Sequence, residues 1–322
     1  MKFPYLALAA LAAGSAQAQQ TSYPQRPVRI IVNVSAGGGV DSLARITGSH
    51  MSAVWGQPFV VDNRAGAGGS IGNELAAKST PDGYTLLVTS GTVITSAANR
   101  TQGPQGYDPV RDFQAVTRLT SNPYIVCVTP ALPVKSIGEL IALAKTKSGG
   151  VSYGSAGNGS IVHLGAALVA SMAGVNMVHV PYKGVTEVYP AVASGQVDWV
   201  IGSPISALPL IKAGRMRGIA VTSAARARAQ PELPTVAESG VPGYDVVAWF
   251  GMLAPAKTPM VIIDKLQAEA KRALQSPEVV RRMDVEGTDI VGNTPQAFAA
   301  EIKAEFEKWR GVVKKAGLGV QG

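Results

Sequence analysis

The 322-residue sequence has one cysteine, three histidines and few aromatic residues (6%). A single cysteine, Cys127, excludes an intrachain disulfide framework and a cysteine-based metal site. The histidines, His50, His163 and His179, do not have the spacing of a zinc-binding pair. Beyond the N-terminus, no apolar run reaches the ~18 residues that a membrane-spanning helix needs. We therefore expect neither a metal nor a cofactor, and a soluble mature chain.

Basic residues exceed acidic ones, for a formal net charge of +8, but they are spread along the chain. Only short clusters occur, such as Arg226-Ala-Arg228 and Arg281-Arg282. Nucleic-acid binding needs a basic patch with interleaved aromatic residues for base stacking. We therefore expect no nucleic-acid partner, and the excess charge predicts only a mild attraction for anions.

The first eighteen residues have the features of a secretory leader. Lys2 supplies a positive charge, an apolar run extends from Phe3 to Ala13, and Ala16-Gln17-Ala18 is a small-residue cleavage site. An ordinary core helix would not be expected to stop at such a site and continue into polar residues. The pattern predicts export across the inner membrane to the periplasm, with cleavage near Ala18.

One supersecondary unit occurs twice. In each copy a strand enters a glycine-rich loop, a helix follows, and a second strand ends in another glycine-containing loop. We call residues Ser35–Gly39 the first glycine loop and residues Ser155–Gly159 the second glycine loop. Alternating strands and helices at this spacing predict parallel βαβ units. Because about 300 mature residues exceed what one core usually supports, two copies predict two similar lobes.

The chain order indicates that one lobe is inserted into the other. We predict a discontinuous first lobe of residues 19–122 and 246–322, and a second lobe of residues 123–245. Near the C-terminus, Thr294 is a predicted N-cap and Pro295 the first residue of a helix. An apolar stripe at helical spacing predicts that this helix docks on the first lobe. The stripe consists of Phe298, Ile302, Phe306, Trp309 and Val313.

The glycine loops are the candidate ligand site. Glycine lets a ligand approach the backbone, and the N-terminus of the following helix favours an anion. Open α/β sheets bind ligands at the carboxyl ends of their strands, although glycine turns also merely connect elements. The predicted ligand-binding residues are Ser35, Ala36, Gly37, Gly38, Gly39, Val40, Asp41, Gly91, Thr92, Ser155, Ala156, Gly157, Asn158, Gly159, Ser160, His163, Gly202 and Ser203.

Several of these side chains admit two interpretations. Asp41 forms an i, i+4 pair with Arg45 that supports the helix, or it caps backbone amides and shapes the first glycine loop. His163 faces the cleft or orients the second glycine loop, or it is a packed core histidine. Arg64 and Lys183 occupy matching places in the two copies. We interpret both as solvated loop ends or inter-lobe contacts, and not as direct ligands.

Longer motifs along nearly the whole mature chain make this sequence similar to the Bug family, the TctC-type receptors of tripartite tricarboxylate transporters. They include Gly37–Asp41, Val61–Gly72, Pro81–Leu87, Tyr153–Ser160, His179–Gly184 and Leu233–Gly240. The resemblance implies a two-lobed α/β receptor with the type II-like Venus-flytrap fold of periplasmic binding proteins, each lobe a mainly parallel sheet flanked by helices. It implies a small carboxylate ligand, held largely by backbone amides and water.

The implied partners are a large and a small integral-membrane transporter subunit, and the receptor itself is expected to be a monomer. The alternative function is a ligand sensor that feeds a signalling system. One departure bears on the ligand, because the family often has an acidic residue where this chain has Ile201-Gly202-Ser203-Pro204. Its absence disfavours an amino acid and favours a mono- or dicarboxylate without an amine, aromatic acids included.

Two enzyme alternatives fit poorly. Residues Gly150–Gly154 match the G-x-S-x-G nucleophile pattern, but no Asp or Glu lies between Ser152 and His179, so the hydrolase triad cannot be completed in the required order. A nucleotide-binding enzyme would need G-x-G-x-x-G after the first strand, and Ser35–Ser42 lacks that spacing. We predict that the protein is not an enzyme.

Overall fold

The computed structural model describes residues 23–99, 106–147, 149–182 and 185–316. These residues form two β-sheets, each covered by helices. In this part of the chain, no helix is long and apolar enough to cross a membrane. The predicted leader, residues 1–18, and the loop residues Lys183 and Gly184 lie outside the described residues.

Two chain segments build the first lobe. The first contains β1 (Val28–Val32), α1 (Gly39–Trp55), β2 (Phe59–Asn63), a 3₁₀ turn (Ala67–Gly69), α2 (Ser70–Ala77), β3 (Thr85–Ser90), α3 (Thr92–Asn99) and β4 (Phe113–Pro123). The second contains β10 (Val247–Pro255), α8 (Met260–Leu274), α9 (Pro277–Glu286), β11 (Asp289–Ile290) and α10 (Pro295–Ala316).

The second lobe is one continuous segment between them. It contains β5 (Ile125–Val128), α4 (Ile137–Thr146), β6 (Val151–Ser155), α5 (Ile161–Ala173), β7 (Met177–Pro181), α6 (Val185–Ala193), β8 (Trp199–Gly202), α7 (Pro204–Lys212) and β9 (Arg217–Val221). The predicted two-lobed α/β fold is confirmed. The repeat corresponds to β1-α1-β2 in one lobe and β6-α5-β7 in the other.

Both sheets are mixed, and in each of them most strands run in one direction, in agreement with the prediction of mainly parallel sheets. The first sheet has the order β11-β4-β10-β3-β1-β2, and the second has the order β7-β6-β8-β5-β9. Only the three strands of each repeat, β2-β1-β3 and β7-β6-β8, pair in parallel. Strands β10 and β5 each enter from the other lobe, so they run away from the cleft and lie antiparallel to both neighbours.

The chain crosses between the lobes at two adjacent places. It leaves the first sheet at Pro123 and enters the second at Ile125, and it returns between β9 and β10. Thr222 joins the two crossings, because its N–H donates to the carbonyl of Tyr124 and its own carbonyl accepts from the N–H of Val246, both at 2.9 Å. The domain boundaries at residues 122/123 and 245/246 stay predictions.

The C-terminal helix α10 docks as the sequence predicts. The Thr294 hydroxyl caps it by accepting from the N–H of Ala297 at 3.2 Å. Helix α10 begins at Pro295, and all five residues of the predicted apolar stripe are buried. The indole N–H groups of Trp249 on β10 and Trp309 on α10 both donate to Glu305, at 2.6 and 3.1 Å. The helix is therefore held to the first sheet by apolar burial and by a shared carboxylate.

Phe298 tests how much this docking contributes to stability. Its ring is 1% exposed and meets Trp249 edge-on, with centroids 5.2 Å apart. Phe298→Ala should lower the free energy of unfolding by about 3–5 kcal/mol, because truncation leaves a cavity. Urea titration measures this, with exposed Lys303→Ala as a control expected to change stability by less than about 0.5 kcal/mol. Equal stability of the two variants would contradict the docking role.

Candidate functional site

A cavity of about 680 Å³ lies between the two lobes. Segments that follow β1, β2 and β3 border it on the first lobe, and the end of the second glycine loop borders it on the second. The lining residues are Asn33, Val34, Ser35, Ala65, Gly66, Gly68, Gly69, Ser70, Thr92, Ser96, Asn99, Ala156, Asn158, Gly159 and Ser160.

Three helices begin at the cavity wall. Ser70 is the first residue of α2, Thr92 is the first residue of α3, and Ser160 is the N-cap of α5. The first N–H groups of a helix lack intrahelical partners, and the helix dipole is positive at this end. None of the lining residues carries a charged side chain. The cavity is thus suited to a small anion without containing a cation.

Asp41 fixes the first glycine loop. Its carboxylate accepts from the N–H of Gly37 at 2.9 Å, from Nε of Arg45 at 3.0 Å and from Nδ2 of Asn63 at 3.0 Å. The Arg45 hydrogen bond is the main reason that the pKa of Asp41 falls to about 2. Both interpretations of Asp41 therefore hold. The Gly37 N–H is used within the loop, which corrects the expectation that it serves as a ligand donor.

A buried hydrogen-bond chain orients Asn33 at the cavity wall. The Tyr107 hydroxyl donates to the carbonyl of Val93 at 2.9 Å, so it accepts from Nδ2 of Asn73, also at 2.9 Å. The Asn73 Oδ1 then accepts from Nδ2 of Asn33 at 3.1 Å. Because the Val93 carbonyl can only accept, it sets the donor and acceptor of every hydrogen bond in this series. Sequence reasoning missed Asn33, because it assigned this residue to the first strand.

Helix α3 contributes a polar face that the sequence analysis also missed. Thr92, Ser96 and Asn99 all line the cavity, and their i, i+4, i+7 spacing places them on one side of the helix. The Ser96 hydroxyl donates to the carbonyl of Gly68 at 3.1 Å. Only Thr92 was predicted, although the polar i, i+4, i+7 spacing was a usable signal.

Two stacked histidines support the second glycine loop. The Gly159 N–H donates to Nδ1 of His163 at 3.1 Å, and the His163 ring stacks on His179 with centroids 3.9 Å apart. The Nε2 of His179 lies 2.6 Å from the Ser155 hydroxyl, which accepts from the N–H of Gly157 at 3.1 Å. Burial, with a smaller effect of His179, lowers the pKa of His163 to about 4. His163 is thus both a packed histidine and the residue that orients the loop.

The eighteen predicted site residues divide into two groups. The cavity lining includes Ser35, Thr92, Ala156, Asn158, Gly159 and Ser160. The lining does not include Ala36, Gly37, Gly38, Gly39, Val40, Asp41, Gly91, Ser155, Gly157, His163, Gly202 or Ser203. Of these, Asp41, Ser155 and His163 fix the loops from behind.

Gly202 and Ser203, at the end of β8, lie outside the cavity lining. A Cβ built on Gly202 would lie 3.0 Å from the Tyr189 ring and 3.2 Å from Cβ of Ala207, both in the second lobe. The N–H of Ser203 donates to the Tyr189 hydroxyl at 3.2 Å. A missing acidic residue at this strand end therefore gives no information about a ligand amine. The argument against amino acids loses its basis.

The residues behind the enzyme alternatives have structural partners. The N–H and hydroxyl of Ser152 both donate to Asp198, which also binds Lys147. Asp62 pairs with Arg29 and Arg64 at the end of β2, where a nucleotide-binding enzyme would present a free carboxylate. Within the described ranges, no group of three or more His, Cys, Asp or Glu residues could hold a metal.

Family comparison agrees with this architecture. The family model described as "Tripartite tricarboxylate transporter family receptor" (TctC) matches residues 43–318. The chain belongs to this family. The predicted membership is thereby confirmed, and the TctC family consists of solute-binding receptors. Protein BugT of Bordetella pertussis is 34% identical over 296 residues, covering 92% of this chain and 91% of BugT.

Three solved structures share the fold. One described as a periplasmic transporter is 37% identical (TM-score 0.77, covering 92% of this chain and 99% of that one). Rpa4515 of R. palustris, solved with adipate, is 35% identical (TM-score 0.77, 92% and 99%). MatC of Rhodopseudomonas palustris, solved with bound malate, is 30% identical (TM-score 0.75, 90% and 100%).

Two N-cap glycines at this site form a matched test. Gly69 has φ +90°, and a Cβ there would lie 2.5 Å from Nδ2 of Asn33, whereas Gly38 has φ −84° and open space around it. Gly69→Ser should lower the free energy of unfolding by about 1–3 kcal/mol through backbone strain and contact with Asn33.

The same substitution at Gly38 should be neutral or slightly stabilising, because serine is a favourable N-cap in extended backbone. Thermal and urea unfolding of both variants provide the measurement. Equal stabilities would show that the close approach of Gly69 to Asn33 does not constrain the fold.

Proposed function

We propose that this protein is a periplasmic receptor that captures a small organic carboxylate between its lobes and delivers it to transporter subunits in the inner membrane. The observation that carries the proposal is the convergence of three helix N-termini on a cavity with no charged lining residue. Unpaired N–H groups and hydroxyls solvate a carboxylate well, whereas a larger apolar ligand would leave them unsatisfied.

The relatives support this ligand class. Two solved structures that are 35% and 30% identical contain adipate and malate, which are both dicarboxylates. A cavity of about 680 Å³ is within the usual range for small-molecule sites. Mono-, di- and aromatic carboxylates all remain candidates, and amino acids join them because the argument against an amine no longer holds.

We assign the contacts to both sides of the cleft. From the first lobe, Ser35 and Thr92 offer hydroxyl groups, and Asn99 offers a side-chain amide. From the second lobe, Ala156 and Asn158 offer backbone N–H groups, and Asn158 also offers its side-chain amide. The N–H groups of Gly157, Gly159 and Ser160 are excluded from this set because they donate to Ser155, to His163 and to the carbonyl of Gly157. Ligand contact on both lobes gives closure of the cleft its driving force.

The cellular setting follows from the leader and the family. Lys2, the apolar run and the cleavage site near Ala18 support export to the periplasm and a mature chain from Gln19. Membership in a transporter receptor family supports delivery to a large and a small membrane subunit. We further propose that the receptor acts as a monomer and catalyses no reaction.

A thermal-shift screen of the mature chain tests the ligand class. The panel contains adipate, malate, succinate, citrate, benzoate and aspartate, with nicotinamide and NAD as controls. A ligand at 100 times its Kd adds about 2.7 kcal/mol of stability, which raises the Tm by several degrees in a chain of this size. At least one acid should produce this rise and the controls should not. A rise with NAD alone would contradict the proposal.

Two threonines on helix α3 test the assigned contacts. Thr92 lines the cavity, whereas the buried Thr95 hydroxyl has no hydrogen-bond partner among the described residues and lies outside the lining. Thr92→Val should weaken binding of the best acid about tenfold or more, because a hydrogen bond to a charged group contributes about 1.5–3 kcal/mol. Thr95→Val should leave the affinity unchanged. Isothermal titration calorimetry measures both.

Arg64→Ala serves as the charge control. Arg64 pairs with Asp62 and is exposed, so its removal should change affinity by less than about threefold. If Arg64→Ala abolishes binding while Thr92→Val binds normally, a side-chain cation holds the ligand. The assignment to helix N-termini would then be wrong, even with the carboxylate class intact.

A further inference from the structure

Beneath the second glycine loop lies a cluster of side chains that the cavity lining does not include. The rings of Tyr153, His179 and His163 are stacked in that order, with centroids 5.1 and 3.9 Å apart. His163 is 3% exposed, and its Nε2 has no partner among the described residues. Among the described residues, each histidine ring makes one hydrogen bond, His163 to Gly159 and His179 to Ser155, and both partners belong to the second glycine loop.

The hydrogen bond at Gly159 requires a neutral imidazole. A backbone N–H can only donate, so Nδ1 of His163 must accept and cannot carry a proton. A protonated His163 would direct a second N–H at the N–H of Gly159. The same protonation would place a charge against the neighbouring ring of His179 at 3.9 Å. The geometry therefore allows one charge state of His163.

Within the described residues, no acid hydrogen-bonds or forms an ion pair with the ring of His163. The facing groups are Tyr153 from β6 and His179 from β7, while Tyr244 from the crossing segment donates to the carbonyl of Gly165 on α5. Helix α10 packs on α5, and its acid Glu305 is bound by two indole N–H groups. Asp198, next to β8, is bound by Lys147 and Ser152.

We propose that His163 and His179 are positioning residues for ligand capture, which hold the second glycine loop at the cleft only while the ring of His163 is neutral. His163 anchors Gly159, and His179 anchors Gly157 through the Ser155 hydroxyl. Protonation of His163 releases Gly159 and opens the loop, so capture has an acid limit. The role in capture rests on the proposed receptor function, whereas the anchoring of the loop does not.

The direction of the pH effect follows from burial. Burial lowers the pKa of His163 to about 4 and also lowers the pKa of His179, so both rings are neutral at pH 7. In the unfolded chain a histidine binds its proton near pH 6.5, whereas in the folded state His163 resists protonation. The free energy of unfolding is therefore highest above about pH 6.5 and declines as the pH falls towards 4. Loop release belongs at the lower end of this window.

Hydrogen exchange on the ligand-free mature protein tests the anchoring. In the wild type, protection of residues 156–160, corrected for intrinsic exchange, should fall at least tenfold between pH 6.5 and pH 4. His163→Asn places an acceptor that does not titrate near the position of Nδ1, so protection should persist at pH 4. His163→Leu has no acceptor, so protection should be low at every pH. Peptides from β1 and β8 report whether the protein stays folded.

His50→Asn is the matched control, because His50 is a histidine of the first lobe that contacts Glu269. This variant should keep the wild-type profile at residues 156–160. Two results would overturn the proposal. One is wild-type protection in His163→Leu, and the other is the wild-type loss at low pH in His163→Asn.

A binding measurement at pH 7.0 connects the anchor to capture, with adipate and malate as the probes. His163→Leu should bind the better probe at least tenfold more weakly than the wild type, and His163→Asn should bind within threefold. Equal affinity of the wild type and His163→Leu would overturn the positioning role. If neither acid binds the wild type, the ligand proposal loses its support, and the exchange experiment still decides the anchoring.

Discussion

The structure is organised around the convergence of three helix N-termini on one cavity. Three helices direct their first turns at one space, and no side chain in that space carries a charge. A helix end that is buried without partners is costly unless something else satisfies it. The loops in front of these helices must therefore stay open to a ligand and must also hold a fixed shape. Most of the unusual residues of the site serve one of these two needs.

In each lobe, a glycine at the cavity packs closely against an asparagine, which keeps the loop both open to a ligand and fixed in shape. A Cβ on Gly69 would lie 2.5 Å from Nδ2 of Asn33, and a Cβ on Gly159 would lie 2.6 Å from Nδ2 of Asn99. The first pair lies within one lobe, whereas the second spans the cleft, because Asn99 belongs to α3 and Gly159 to the second lobe. Polar residues behind the loops then fix the backbone, Asp41 in one lobe and His163 in the other.

The sequence predicted the features that depend on neighbours along the chain. The repeated βαβ unit, the N-cap at Thr294 and the buried stripe of α10 are local patterns, and the structure contains all three. The family motifs covered nearly the whole chain, which made the two-lobed fold predictable. Loop residues such as Ser35 and Asn158 were found because they lie next to strand ends that the repeat had located.

Features that depend on distant parts of the chain were missed. The direction of β10 and β5 follows from the crossings between lobes, which no local pattern specifies. Gly202 has the sequence context of a strand end at the cleft, yet it lies outside the cavity lining, and the nearby Pro204 approaches Gly287, far along the chain. The role of Asn33 depends on Asn73 and Tyr107, whose contribution appears only when three segments meet.

The position of β10 also constrains the order of assembly. This strand lies in the middle of the first sheet, between β3 and β4, and Phe250 pairs with Ser90, roughly 160 residues earlier in the chain. Until β10 is in place, β4 and β11 have no connection to β3, β1 and β2. Contacts between such distant residues form slowly, since a long loop must close before they are made. The first lobe thus begins near the N-terminus but is completed only after the whole second lobe has been synthesised, and β10 makes completion of the N-terminal lobe a late event in folding.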